Sequence, residues 1–276
     1  MTIPDILQQI VETKKREVAE AKVRTPLDAL REQTASMESP RNFFAALTKE
    51  PDAGGLANVI AEVKKASPSA GVLVPDFDPV RIAKGYHAAG ADALSVLTDE
   101  QYFQGKLEYI AQIKKEVPLP VLRKDFIIDP YQVWEARAAG ADAILLIAEI
   151  LSDSMMIDLQ ILATELRLTT LIEVHELDSL LRVRSTIGFP LRSYSLLGIN
   201  NRDLRNFSVD LNTAIRLAEF VEDKSILVAE SGIKDKSDVQ RLNAAGIRSL
   251  LIGETLMKSG DIGGTMANLK GIFRRA

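Results

Sequence analysis

Short apolar runs recur along this chain, and many of them stop on a charged or amide side chain. Asn58-Val59-Ile60-Ala61 leads into Glu62-Val63-Lys64, Pro120-Val121-Leu122 into Arg123-Lys124-Asp125, and Thr170-Leu171-Ile172 into Glu173. Leu196-Leu197-Gly198-Ile199 runs into Asn200-Asn201-Arg202, Ile226-Leu227-Val228-Ala229 into Glu230-Ser231-Gly232, and Leu250-Leu251-Ile252 into Gly253. An unpartnered buried charge costs on the order of several kcal/mol, so stability alone does not collect charges at buried strand ends. In a parallel barrel those ends converge on one face, where barrel enzymes carry their chemistry. The pattern points to an enzyme.

The runs predict strands at 58–64, 93–98, 120–125, 143–148, 169–174, 196–201, 226–231 and 249–254. They are continuously apolar, as expected when helices cover both faces of a sheet. The stretches between them carry helical periodicity. In 152–167, Met155, Leu159, Leu162 and Leu166 share one stripe, with Ser152 as N-cap. A loose repeat, Ala88-Ala89-Gly90-Ala91-Asp92-Ala93, returns as Ala138-Ala139-Gly140-Ala141-Asp142-Ala143 and as Ala244-Ala245-Gly246-Ile247. Each copy ends a helix on a glycine suited to the left-handed position and then enters a strand. With short connections and no Gly-rich dinucleotide fingerprint after the first strand, the reading is an α/β (β/α)8 TIM barrel rather than a doubly wound sheet. One domain is expected over 1–276, of which 1–57 is an N-terminal helical extension. There Ile6, Leu7, Ile10, Val11 and Val18 fit an amphipathic helix ending at Thr25-Pro26, and a second short helix is expected at 42–47. The extension could be a lid, a barrel plug or a docking surface for another subunit, and packing on its own chain is the favoured reading.

A 46% hydrophobic fraction over 276 residues supports a large core. A net charge of -4 provides no general attraction to nucleic acid or to an anionic membrane, so an anionic ligand must be held locally. The absence of cysteine removes disulfides, thiol catalysis and Cys-based zinc sites. Met1-Thr2-Ile3-Pro4-Asp5 lacks a signal-peptide pattern, and no run approaches membrane-spanning length, so a cytoplasmic location is expected.

Side chains two apart on a strand share a face. Glu62 with Lys64, and Asn200 with Arg202, should therefore point the same way, while Lys124, Glu173 and Glu230 end inward series with Leu122, Leu171 and Val228. Three carboxylates beside two lysines and an arginine suit acid–base work, because proximity tunes their proton affinities. An ion-pair network closing the barrel is the plainer alternative, but this many groups on one face favour a site. Ser231-Gly232 and Gly253-Glu254 follow the last two strands, where barrels often bind phosphate through backbone N–H groups. Ser67-Pro68-Ser69 could add hydroxyls or be only a turn. Phe103 and Phe126 sit in loops beyond strand ends, where they could flank a flat ligand or anchor the loops. His87 reads as a surface residue, His175 as a solvated loop position rather than a site residue, and Trp134 as packing against the barrel. No metal-ligand pattern is evident.

Together these segments resemble the indole-3-glycerol phosphate synthase family. The matching stretches are Ile60-Ala61-Glu62-Val63-Lys64-Lys65-Ala66-Ser67-Pro68-Ser69, Leu97-Thr98-Asp99-Glu100-Gln101-Tyr102-Phe103-Gln104-Gly105 and Leu122-Arg123-Lys124-Asp125-Phe126. Leu171-Ile172-Glu173-Val174, Gly198-Ile199-Asn200-Asn201-Arg202-Asp203-Leu204 and Ala229-Glu230-Ser231-Gly232-Ile233 complete them. The resemblance spans essentially the whole chain. It implies a cofactor-free barrel, expected to be monomeric, that converts 1-(2-carboxyphenylamino)-1-deoxyribulose 5-phosphate to indole-3-glycerol phosphate, CO2 and water. By position it implies that Lys124 is the acid at the ribulose carbonyl and Glu173 an acid/base in dehydration. Lys64 would lie near the substrate carboxylate and is also a candidate acid for loss of water. Glu62 and Asn200 would orient hydroxyls and basic groups, Arg202 would form a polar wall, and Glu230 would support the site. Phe103 and Phe126 would flank the anthranilate ring, and Ser67, Ser231, Gly232, Gly253 and Glu254 would fall at the phosphate end. Two positions depart from the pattern: Ala70 stands where a basic residue often follows Ser-Pro-Ser, and Glu254 where some members have serine.

Three other readings compete with this one. Phosphoribosylanthranilate isomerase needs a catalytic cysteine, which is absent here. A non-catalytic phosphosugar-binding module has no use for Lys124 and Glu173 together, and a metal-dependent aldolase needs ligands that neither histidine supplies.

Overall fold

The computed structural model describes residues 5–189, 191–204 and 206–271. Eight parallel strands close into a barrel: β1 (Asn58–Val63), β2 (Ala93–Leu97), β3 (Val121–Lys124), β4 (Ala143–Ile147), β5 (Thr169–Val174), β6 (Ser195–Asn200), β7 (Leu227–Glu230) and β8 (Ser249–Ile252). Each strand pairs with its sequence neighbours and β1 with β8, so no edge is left open. Their limits fall within two residues of the predicted ones. Nearly every strand residue is buried, because one face looks into the barrel and the other lies under helices. Arg123 illustrates the alternation: between inward Leu122 and Lys124 it turns outward, donating to the Gln132 carbonyl at 2.9 Å and pairing with Glu135 at 2.8 Å.

Three helices precede the barrel: α1 (Asp5–Arg24), α2 (Leu27–Ala35) and α3 (Phe43–Thr48). The predicted first and third are present, and Asn42 caps the third by accepting from the Ala45 N–H at 2.8 Å. The middle one is not announced by the sequence, since only Leu27 and Leu30 mark an apolar stripe in an otherwise polar stretch. Around the barrel follow α4 (Pro79–Ala88), α5 (Glu108–Glu116), α6 (Pro130–Ala138), α7 (Asp153–Glu165), α8 (Leu177–Val183), α9 (Asn212–Ala218), α10 (Lys236–Ala244), α11 (Glu254–Met257) and α12 (Ile262–Lys270). Ser152 caps α7 as predicted, but the buried face is Met156, Leu159, Gln160 and Ala163, about one residue round from the expected stripe. Met155, Leu162 and Leu166 flank that face, half-buried.

The repeat has a structural meaning at the bottom of the barrel. Gly90, Gly140 and Gly246 all adopt φ of 89°, the left-handed turn that releases a helix into the next strand. The aspartates behind the first two bind a neighbouring strand's first N–H groups. Asp92 accepts from Val59 at 2.8 Å and Asp142 from Val121 at 2.7 Å, and each is neutralised by a lysine, Lys270 or Lys114.

The extension docks on this same chain, chiefly on α6. Val18 and Ala21 of α1 pack with Leu30 and Tyr131, and the Tyr131 hydroxyl donates to the carbonyls of Ala21 and Thr25 at 3.0 and 2.9 Å, closing the C-terminal end of α1. Trp134 belongs to this interface, with the Arg31 guanidinium 5.5 Å from its ring, so it packs against the extension rather than the barrel wall.

Candidate active site

At the C-terminal mouth of the barrel one cavity is lined by all fourteen residues singled out from the sequence: Glu62, Lys64, Ser67, Phe103, Lys124, Phe126, Glu173, Asn200, Arg202, Glu230, Ser231, Gly232, Gly253 and Glu254. Register brings the polar groups level. Lys124 ends β3 opposite Leu97, Glu173 lies beside Ile147 and Gly198, and Asn200 faces Glu230 across β6 and β7.

The centre is the Lys124 ammonium. It bonds to Glu230 Oε2 at 2.7 Å and to Glu173 Oε2 at 3.0 Å, and its side chain is 14% exposed. Burial alone would lower its proton affinity, but Glu173, Glu230 and Glu62 together raise it well above the usual lysine range, so it is charged at any working pH. The two carboxylates diverge sharply. Burial pushes both up, but Lys124, His175 and Asn200 hold Glu173 well below the ordinary value. Glu230 is pushed up to about 8, by burial first and by the neighbouring Glu173 charge, against the pull of Lys124. At neutral pH the site therefore presents an ionised carboxylate and a largely protonated carboxyl on either side of one ammonium. Oppositely tuned pairs of this kind suit acid–base division of labour.

The second pair sits across the mouth. Lys64 Nζ and Glu62 Oε2 are 2.5 Å apart, the same-face arrangement expected of residues two apart. Gly253 borders them: a Cβ there would run into Glu62 Oε2 and lie 3.1 Å from Lys64 Nζ. Gly232 is held in a left-handed backbone (φ 79°), with Val209 Cγ1 where a Cβ would go, and Ser231 before it has φ of 65°. Asn200 donates to Glu173 Oε1 at 3.2 Å and accepts from the Arg202 N–H at 3.0 Å. Arg202 reaches the Phe207 carbonyl at 3.2 Å and stands 3.7 Å from Glu254, whose carboxylate is drawn to Lys258 at 2.6 Å. Phe103 and Phe126 form a tilted pair with ring centroids 6.1 Å apart. Ile6, Leu7 and Ile10 of α1 complete the upper wall.

Three residues around this site escape a reading of the sequence. His175, expected in solvent, is 10% exposed and lies between Glu149 and Glu173. It stands two residues beyond Glu173, so the same-face rule that pairs Glu62 with Lys64 also marks it. Glu149 sits in a 3-10 turn after β4, which no periodicity announces. Asn201 donates to the carbonyls of Glu230 and Ser231 at 3.0 and 3.1 Å, and accepts from the Ala214 N–H, tying the ends of β6 and β7 together. His87 is exposed, as expected. Among the described residues no group of three or more His, Cys, Asp or Glu side chains is placed to hold a metal ion.

A closed parallel barrel with paired acid and base groups at its C-terminal mouth defines a (β/α)8-barrel enzyme. The family model described as indole-3-glycerol phosphate synthase matches residues 7–269. An indole-3-glycerol phosphate synthase of Acidithiobacillus ferrooxidans is 48% identical over 265 residues, covering 96% of this chain and 98% of the relative. One of Albidiferax ferrireducens is 47% identical over the same shares. Among solved structures, 3-hexulose-6-phosphate synthase from Salmonella typhimurium superposes with a TM-score of 0.62 over 78% of this chain and 97% of that one; at 15% identity this likeness concerns the fold alone. The chain belongs to the indole-3-glycerol phosphate synthase family.

Proposed function

We propose that this chain closes the indole ring of 1-(2-carboxyphenylamino)-1-deoxy-D-ribulose 5-phosphate to give indole-3-glycerol phosphate, CO2 and water, with its mouth residues dividing the work as follows. Family membership makes it a carboxy-lyase of tryptophan biosynthesis. The observation that carries the assignment of roles is the Lys124 ammonium held between Glu173 at 3.0 Å and Glu230 at 2.7 Å, with the surroundings lowering the proton affinity of the first carboxylate and raising that of the second.

A ketone is a poor electrophile until its oxygen accepts a proton or a strong hydrogen bond. Lys124 supplies that proton while the ring carbon bearing the carboxylate attacks, and the new C–C bond closes the five-membered ring. Loss of CO2 returns its bonding electrons to the ring and restores aromaticity. Dehydration then needs a proton delivered to the departing hydroxyl and another removed from the CH2 beside nitrogen. Glu173 takes the latter, and Lys64, paired with Glu62 and read as lying near the substrate carboxylate, gives the former. Asn200 and Glu62 orient hydroxyls, Arg202 forms a polar wall, and Glu230 supports Lys124. Phe103 and Phe126 hold the flat anthranilate ring. Ser67, Ser231 and the backbone N–H groups of Gly232, Gly253 and Glu254 take the phosphate.

The test is direct. Purified protein mixed with the carboxyphenylamino-deoxyribulose phosphate should generate indole absorbance and fluorescence in step with CO2. Substrate that persists unchanged overturns the reading.

A further inference from the structure

Glu173 and Glu230 share one ammonium but not the same surroundings. Both bond to Lys124 and both are buried, so an ammonium shared between them would leave the pair equivalent, with one proton distributed over two carboxylates. The surroundings differ on the far side of Glu173, where Asn200 donates to Oε1 at 3.2 Å, whereas the buried Oε1 of Glu230 has no hydrogen-bond partner among the described residues. His175 Nε2 stands 3.2 Å from Glu173 Oε1, and its Nδ1 stands 3.1 Å from Glu149 Oε2. Glu149 Oε1 accepts the His175 backbone N–H at 3.0 Å. The turn carrying Glu149 is held in place by Arg182 of α8, which donates to the Ala148 and Leu151 carbonyls and pairs with Asp153 at 2.8 Å. Glu173 is thus faced by Lys124 from β3, Asn200 from β6, Glu230 from β7 beyond the lysine, and His175 with Glu149 behind it.

We propose that His175, clamped as an imidazolium by Glu149, is a positioning residue that assigns the negative charge of the Lys124 carboxylate pair to Glu173 and leaves the proton on Glu230. His175 is absent from the residues lining the cavity, so it acts through Glu173 rather than on substrate. Two carboxylates hold the imidazole charged, and burial opposes them without prevailing; the ring is raised to about 10. The inference rests on Glu173 being the base, and its test separates the two claims.

The chain has two histidines, so an NMR titration of the imidazole carbons is readily assigned, with His87→Gln removing the other resonance. His175 should still be protonated above pH 8, where a histidine of ordinary value, about 6.5, is neutral. A His175 that titrates at that ordinary value overturns the proposal. The second arm is the pH profile of kcat/KM for His175→Gln. Without the imidazolium Glu173 takes up its proton at higher pH, so the base is idle over more of the acid range. The loss between pH 8 and pH 5.5 should exceed the parent's by up to about tenfold for every pH unit that the Glu173 titration moves toward neutrality, carried by kcat rather than KM. Glu149→Gln should displace the profile the same way by less. Profiles of parent and His175→Gln that superimpose, or that differ by one constant factor at every pH, overturn it. Should Glu173→Gln retain full activity while His175 stays charged to high pH, the base assignment fails and the charge assignment stands.

Discussion

Lys14 in the first helix and Asp125, the residue after Lys124, are joined by a 3.0 Å ion pair between side chains only 4% and 3% exposed. The same ammonium reaches Asp99 at 2.8 Å and Glu17 at 2.7 Å. Asp99 accepts the Tyr102 N–H, and the Tyr102 hydroxyl meets Thr13 at 3.0 Å. One buried lysine thereby fastens the extension to both loops that carry the aromatic pair.

Lys14→Met should leave Asp99 without this cation and Asp125 with Arg123 as its remaining one. Breaking a buried pair from one side costs about 3–5 kcal/mol, visible as a lower denaturation midpoint, and the loosened Phe103 and Phe126 should raise KM. Deleting 1–40 should do both more strongly, since Ile6, Leu7 and Ile10 leave the wall as well. Parent-like midpoint and KM in the deletion would refute this coupling. The pH signs agree for the two partners. Asp125 is held below its ordinary value despite burial, so its contribution is present above about pH 4 and is lost only in strong acid. Lys14 is raised despite burial, so its share persists through neutral pH and fades only in strong alkali.

Lys124→Met keeps the apolar stem and removes the proton donor. A positioned acid contributes roughly 10²–10⁴-fold, so kcat and kcat/KM should fall together by about that range with little change in KM. Lys64→Met should raise KM as well as lower kcat, since the proposed role sets its ammonium both near the substrate carboxylate and at the departing hydroxyl. A near-normal kcat in Lys124→Met beside an abolished one in Lys64→Met reverses the two roles.

Glu230 should behave as a neutral group at pH 7. Glutamine mimics a protonated carboxyl, so Glu230→Gln should retain far more activity at pH 7 than Glu230→Ala. It should also lack the decline expected of the parent as pH rises through about 8. Stability carries the same signature. The folded value exceeds the unfolded one, so the folded state holds an extra proton between about pH 4.5 and 8, and this group's contribution falls as pH rises through that window. Thermal midpoints of parent and Glu230→Gln measured at pH 5 and 8 should converge toward the acid end; parallel curves count against the assignment.

Gly253→Ala should act on the Glu62–Lys64 pair, because the added methyl lands against the Glu62 carboxylate. Affinity should therefore drop for phosphorylated and dephosphorylated substrate analogues alike. Gly232→Ala, forced into a left-handed backbone against Val209, should reduce the preference for the phosphorylated analogue. A Gly253→Ala protein that loses only the phosphorylated ligand would show that the added methyl leaves the Glu62–Lys64 pair undisturbed.

The strand ends and the identity of the mouth residues are legible in the sequence because both depend on local pattern. A strand's side chains alternate with period two, so Glu62 with Lys64, or Leu171 with Glu173, share a face wherever the strand is placed. The same parity applies to His175, but a single histidine past a strand end has no meaning until Glu149 is beside it. That contact joins residues 26 apart through a turn without periodicity. Barrel closure decided the rest. Lys124 meets Glu230 across 106 residues, and Lys14 meets Asp125 across the seam between extension and barrel. The proton affinities that separate Glu173 from Glu230 are set by burial and by which neighbour stands on which oxygen. Composition and spacing determined which groups this chain carries to its mouth, and only the tertiary structure decided which of them hold charge, because proton affinity depends on distances between residues far apart in sequence.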